Sequence, residues 1–209
     1  MKKLLGVVAA LVMFMGVSVA AQAQYAVTND VIFVRLGYIP AYTVSFDEQD
    51  WDDLEFSGFA ANGEYNVNMG QFWIGIGLEY QYVVDEDAQD GTEDYTAQFL
   101  LPQVNAKFVT GGGLYIGAGF SGKYLISQDY GNSDYEAKKK IDLWGNIIIG
   151  FFTPITEGVY FDVEGRFGYN LTNNQFSEWE DSSDKIGMDS AYDIAIYVGV
   201  GFRALSTGL

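Results

Sequence analysis

The chain contains neither cysteine nor histidine. The first absence excludes disulfides, thiol catalysis, iron–sulfur clusters and thiolate metal sites, and the second removes the commonest general base and the commonest metal ligand. Nucleophilic chemistry that relies on histidine goes with them, so neither enzymatic activity nor a cofactor is expected. Basic residues are also scarce: 11 Lys and Arg stand against 28 Asp and Glu, a formal charge of −17. Nucleic-acid binding needs clustered cations to neutralise phosphates, and this chain cannot supply them.

What the sequence does hold is glycine and aromatics, with 25 Gly, 15 Tyr and 15 Phe among 209 residues. Many turns and many aromatics point to β structure. The first residues are an address rather than part of that structure. Lys2 and Lys3 precede an apolar run from Leu4 to Val19, and Ala21-Gln22-Ala23 has the small residues of a cleavage site before Gln24. The run is short for a spanning helix, and no charged stop follows it. Residues 1–23 are therefore read as a cleaved secretory signal and 24–209 as one domain, with nine basic residues left against 28 acidic ones.

The rest of the chain alternates with period two. Ile32, Val34, Leu36, Tyr38, Tyr42, Val44 and Phe46 share one face of the first run, against Arg35, Gly37, Ala41, Thr43 and Ser45. Runs over 72–84, 114–126, 141–151, 159–171 and 192–202 repeat the pattern, the clearest setting Val159, Phe161, Val163, Phe167 and Tyr169 against Tyr160, Asp162, Glu164, Arg166 and Gly168. Two further runs change parity, over 54–67 and 95–109, which suggests a bulge near Gly58 and a similar slip before Leu100. That makes eight strands. Long polar connections follow the first, third, fifth and seventh, and short ones follow the second, fourth and sixth, so the long loops gather at one end of an antiparallel meander.

Alternation does not say which face points inward, but volume does. An eight-stranded barrel has room inside for little more than its own side chains, and the bulky apolar set would overfill it. The glycine-rich polar face fits a narrow bore. Aromatics near the run ends (Tyr42, Phe46, Tyr80, Tyr82, Phe108, Tyr124, Phe151, Tyr169, Tyr192, Phe202) suit girdles at a bilayer boundary. The expected fold is thus all-β, an eight-stranded antiparallel up-and-down transmembrane barrel.

Over residues 25–209 this pattern resembles the small eight-stranded outer-membrane proteins of Gram-negative bacteria, of the OmpA-barrel, OmpX and OmpW type. The resemblance is one of architecture. It implies the outer membrane, long loops outside, termini in the periplasm, and lipid and lipopolysaccharide as neighbours of a monomer. One departure is that seven residues, Arg203 to Leu209, follow the last aromatic candidate, Phe202.

Several motifs have plain readings beside sharper ones. Gly117, Gly119 and Gly122 match a dinucleotide fingerprint, yet they sit inside an alternating run rather than between a strand and a helix. Arg35, Glu79, Lys107, Lys123, Asp142, Asp162, Glu164, Arg166, Asp193 and Arg203 lie on the polar face and are expected to form an ion-pair network that plugs the bore, since buried charges need partners. The long loops hold 19 of the 28 acids. Among them Asp47, Asp50, Asp52, Asp85, Asp87 and Asp90 are candidates for weak divalent-cation binding, although no EF-hand register is present and no specific metal is assigned. Lys138-Lys139-Lys140 could meet lipid phosphates, and Asn170-Leu171-Thr172 matches a glycosylation sequon. These features favour a structural or surface-interaction role with an unidentified extracellular ligand. Transport of small solutes or hydrophobic molecules, as in OmpW-type channels, is the alternative.

Overall fold

The computed structural model describes residues 29–46, 53–85, 95–129, 141–172 and 188–204. They form eight antiparallel strands: β1 (Val31–Phe46), β2 (Leu54–Met69), β3 (Phe72–Asp85), β4 (Tyr95–Val109), β5 (Leu114–Asp129), β6 (Ile141–Thr156), β7 (Val159–Asn170) and β8 (Met188–Arg203). Each pairs with the next and β1 pairs with β8, so the sheet closes on itself. Closure gives every strand two partners and removes the exposed edge that an open sheet would carry.

The period-two pattern decides which way each side chain points. Ile32, Val34, Leu36 and Tyr38 are exposed on the outside of β1, as are Leu143, Ile147 and Ile149 on β6, while Arg35, Asp142 and Asn146 are buried inside. Three tight turns join the strands at one end, and each uses a glycine at positive φ: Gly70 (82°), Gly113 (85°) and Gly158 (77°). Only glycine enters that region without steric cost. Asn68 helps the first turn by accepting the Gly70 N–H at 2.8 Å.

Both irregularities fall elsewhere than the sequence suggests. In β2 the inward positions Phe56, Gly58, Ala60, Asn62, Glu64 and Asn66 run without a break, so there is no bulge at Gly58. The slip lies in β1, where Ile39 pairs with Gly58 but Tyr42 with Phe56, and the β8 side shifts across the same stretch. Pro40 sits there, and its missing N–H cannot complete a ladder. As a result Tyr42 and Val44 turn inward, and Phe46 packs on the same interior cluster, so these three leave the outer face. In β4 the inward parity also holds from Tyr95 to Val109. Its neighbour β5 carries the irregularity, with Gln98 opposite Ser127 but Phe99 opposite Leu125.

The apolar residues changed parity for a different reason: the interior itself is layered. At the long-loop end Tyr42, Phe56, Val83, Phe99, Leu125 and Trp144 form one buried apolar cluster. At the turn end Phe33, Trp73, Tyr115, Ile148, Phe152 and Tyr160 form another. Tyr42 stacks on Phe56 at 5.2 Å and Trp73 on Phe152 at 5.2 Å. Between the two lies a belt of charged and amide side chains.

Candidate functional site

The belt is built by inward positions at mid-strand. Arg35 of β1 gives its Nε to Asp162 of β7 and pairs with Glu64 of β2 at 3.4 Å and Glu164 of β7 at 3.3 Å. Lys107 of β4 reaches Glu64 and, at 3.1 Å, Glu164. Arg166 of β7 binds Glu79 of β3 at 2.7 Å and Glu164 at 2.6 Å, and donates to Gln103 of β4 at 2.6 Å. Two tyrosines add neutral donors: Tyr115 to Asp162 and Glu164, both at 3.0 Å, and Tyr197 to Glu79 at 2.8 Å.

These contacts run across the bore as well as along its wall. In an eight-stranded ring β3 and β7 stand opposite one another, and the Arg166–Glu79 pair spans that diameter. Desolvated charges are tolerated on condition that partners and hydrogen bonds replace water, which is what the belt supplies.

Glycines make room for it. A Cβ on Gly199 would lie 2.4 Å from the Val34 carbonyl oxygen and 2.6 Å from Cγ of Arg35; on Gly75 it would meet Glu64 at 2.5 Å, and on Gly117 it would meet Lys107 at 2.9 Å. Each is a cross-strand niche into which a longer neighbour leans. Gly117 and Gly119 of the apparent dinucleotide fingerprint, on β5, therefore make room for Lys107 and Asn105 of the neighbouring β4.

With this geometry in view, comparison with known proteins gives architecture and nothing closer. No protein-family model matches the chain, and no curated protein matches it. Among solved structures it is similar to Neisserial surface protein A (NspA), at 15% identity and a TM-score of 0.53, covering 84% of this chain and 97% of that one. It is also similar to the outer membrane protein OprG from Pseudomonas aeruginosa, at 10% identity and a TM-score of 0.54, covering 88% and 99%. The fold is that of small outer-membrane barrels.

The remaining candidate residues fall in three places. Lys123 and Asp193 pair at 3.1 Å at the upper margin of the belt, where the Lys123 ammonium lies 3.6 Å from the Tyr42 ring centroid and 4.2 Å from that of Trp144. Asp142 accepts from Asn170 Nδ2 and from the Thr172 hydroxyl, both at 3.0 Å. Those bonds bury the side chain of Asn170, so the sequon is a structural clasp that also holds the Leu143 N–H at 2.9 Å. Arg203 stands apart from the network. It is the last residue of β8, beyond the lower apolar cluster, with its side chain 42% exposed and paired at 3.5 Å with Glu157, itself 88% exposed.

The loop acids Asp47, Asp50, Asp52, Asp87 and Asp90 lie outside the described residues, as do Lys138, Lys139 and Lys140. Asp85 is described, and it is buried at the end of β3, accepting the Glu55 N–H at 3.1 Å. Sequence reasoning missed Glu64, which ties Arg35 to Lys107, and the donor Tyr197. Both were signalled by parity, since Glu64 alternates with Gly63 and Tyr65 between Asn62 and Asn66, and Tyr197 stands between Ala195 and Gly199 on the inward face.

Proposed function

We propose that this chain is an outer-membrane barrel whose bore is closed by its own side chains and whose role is structural or one of interaction at the cell surface. The observation that carries this reading is the set of ion pairs bridging opposite walls, above all Arg166 to Glu79, sandwiched between two aromatic clusters. A transport role for small solutes needs space along the axis that these side chains take up. The outward apolar face fits lipid, and the fold shared with NspA and OprG supports the outer membrane as its place. Its neighbours would be lipid and lipopolysaccharide around a monomer, with the acidic loops outside, the chain termini in the periplasm and weak divalent binding at the loop carboxylates. Planar-bilayer recording of the refolded protein tests the closed bore. Silence is expected, and reproducible unitary conductance would establish the transport reading instead.

A further inference from the structure

Lys123 of β5 is held differently from the other buried cations. Among the described residues Arg35, Lys107 and Arg166 each take two or more carboxylates and lie over one ring, that of Phe33, Tyr115 or Tyr197. The Lys123 ammonium lies over three: Tyr42 of β1 at 3.6 Å, Trp144 of β6 at 4.2 Å and Phe99 of β4 at 4.8 Å. The Tyr42 ring meets that of Phe99 at 76° and that of Trp144 at 70°, so the rings stand as walls of a box and not as a stack. Asp193 of β8 adds a carboxylate at 3.1 Å, and Asp142 stands opposite Lys123 in the β5–β6 register. Cation, rings and carboxylates are all buried.

Tyr42 reaches the box through the slip in β1. It shares the even parity of Ile32, Val34, Leu36 and Tyr38, which face outward, and the shift between Ile39 and Tyr42 turns it in. In the eight-stranded ring β1 stands across the bore from β5, so the slip carries one wall of the box to the far side of the cation. A bulge that re-aims a side chain in this way is a built feature. Ring faces gathered round one cation select an ammonium over a neutral group, and more strongly where water is excluded. We infer that this box is an ammonium-binding cage which the barrel fills with its own Lys123, and that the tethered cation latches the loop-end aromatic cluster across the bore. The ligand class is a primary alkylammonium. Lys123 cut back to its Cβ would leave a site of the size of n-propylammonium. The latch rests on the closed-bore reading, whereas the cage does not.

The test uses the refolded mature chain. Lys123→Ala is refolded with n-propylammonium or with 1-propanol, a neutral molecule of the same carbon length, and the urea midpoint and refolding yield are read. Lys123→Met combined with Asp193→Asn separates the rings from the ion pair, since it keeps the bulk of the side chain and strands no carboxylate of that pair. Propylammonium is expected to restore Lys123→Ala in a saturable way and propanol is not, and the double variant should unfold at lower urea than the native chain. In planar bilayers the native chain should be silent and Lys123→Ala should conduct until propylammonium is added. Equal rescue by propanol, or a double variant as stable as the native chain, would overturn the cage. A silent Lys123→Ala with selective rescue would keep the cage and overturn the latch. Conductance by the native chain would overturn the closed bore and the latch with it, and the rescue alone would then decide the cage.

Discussion

Arg166 shows how much one side chain can carry. Its guanidinium pairs with Glu79 and Glu164 and donates to Gln103, linking three strands. Replacing it by Leu removes that cation and leaves two buried carboxylates short of partners. Arg166→Leu should cost about 3 kcal/mol or more, read as a fall in the urea midpoint of the refolded protein. An unchanged midpoint would mean that the carboxylates are already solvated. At the turn end, Asp30 accepts the Tyr65 hydroxyl and the Asn68 N–H, and the first of these bonds above all holds its carboxyl below the usual carboxylate range. A lowered folded-state value stabilises above the ordinary carboxylate pKa and is lost as pH falls through the folded one. Asp30→Asn should therefore lower the midpoint at pH 7, and the difference from the native chain should shrink as the pH falls through and below the ordinary carboxylate range.

At the scale of strands and turns, the sharpest contrast is between two glycines with the same backbone demand. Gly70 and Gly113 both have φ near +80°, but a Cβ on Gly70 meets nothing within 4 Å, whereas on Gly113 it would lie 2.0 Å from the Phe152 carbonyl oxygen. Gly70→Ala should cost about 1 kcal/mol, the price of the left-handed conformation alone. Gly113→Ala should cost clearly more, because the β4–β5 turn must also move away from β6; equal midpoints for the two variants would refute this. The strands themselves were legible in the sequence because one apolar face alternates with one small or polar face over at least four residues in every run. The bulges were not, because an apolar residue can change parity either when the ladder slips or when the environment inside changes. Tyr42 turns inward for the first reason, and Phe56 and Phe99 are inward for the second. Only cross-strand register separates the two. Parity gives the face of a residue and not its height along the barrel, which is why Arg203, at the end of β8, looked equivalent in the sequence to Arg35 and Arg166 at mid-strand.

For the molecule as a whole, the outward face sets the solvent. Leu36, Phe59, Phe120 and Ile147 are each at least 60% exposed, on four different strands, and apolar exposure of that kind all round a closed sheet is unsuited to water. The mature chain should fold in detergent or bilayers and not in plain buffer. Unheated samples should migrate faster than heated ones on gels, because the closed barrel survives cold detergent. A monodisperse folded species without detergent would contradict this.

The β1–β8 seam has a kinetic consequence. Seven of the eight pairings join strands adjacent in sequence, but the seam brings Val31 to Arg203, from opposite ends of the chain. Local hairpins form early and distant contacts late, since the loop to be closed is longest for the seam. Arg35 on β1 takes two of its three carboxylates, Asp162 and Glu164, from β7, so it waits for that last closure to find them. Before closure Arg35 would have only Glu64 of the adjacent β2, and Asp162 would lack its cation, a costly state in hydrocarbon. If the chain spans the outer membrane as proposed, assembly and insertion should therefore be coupled, with the zippering of first strand to last as the step that commits it.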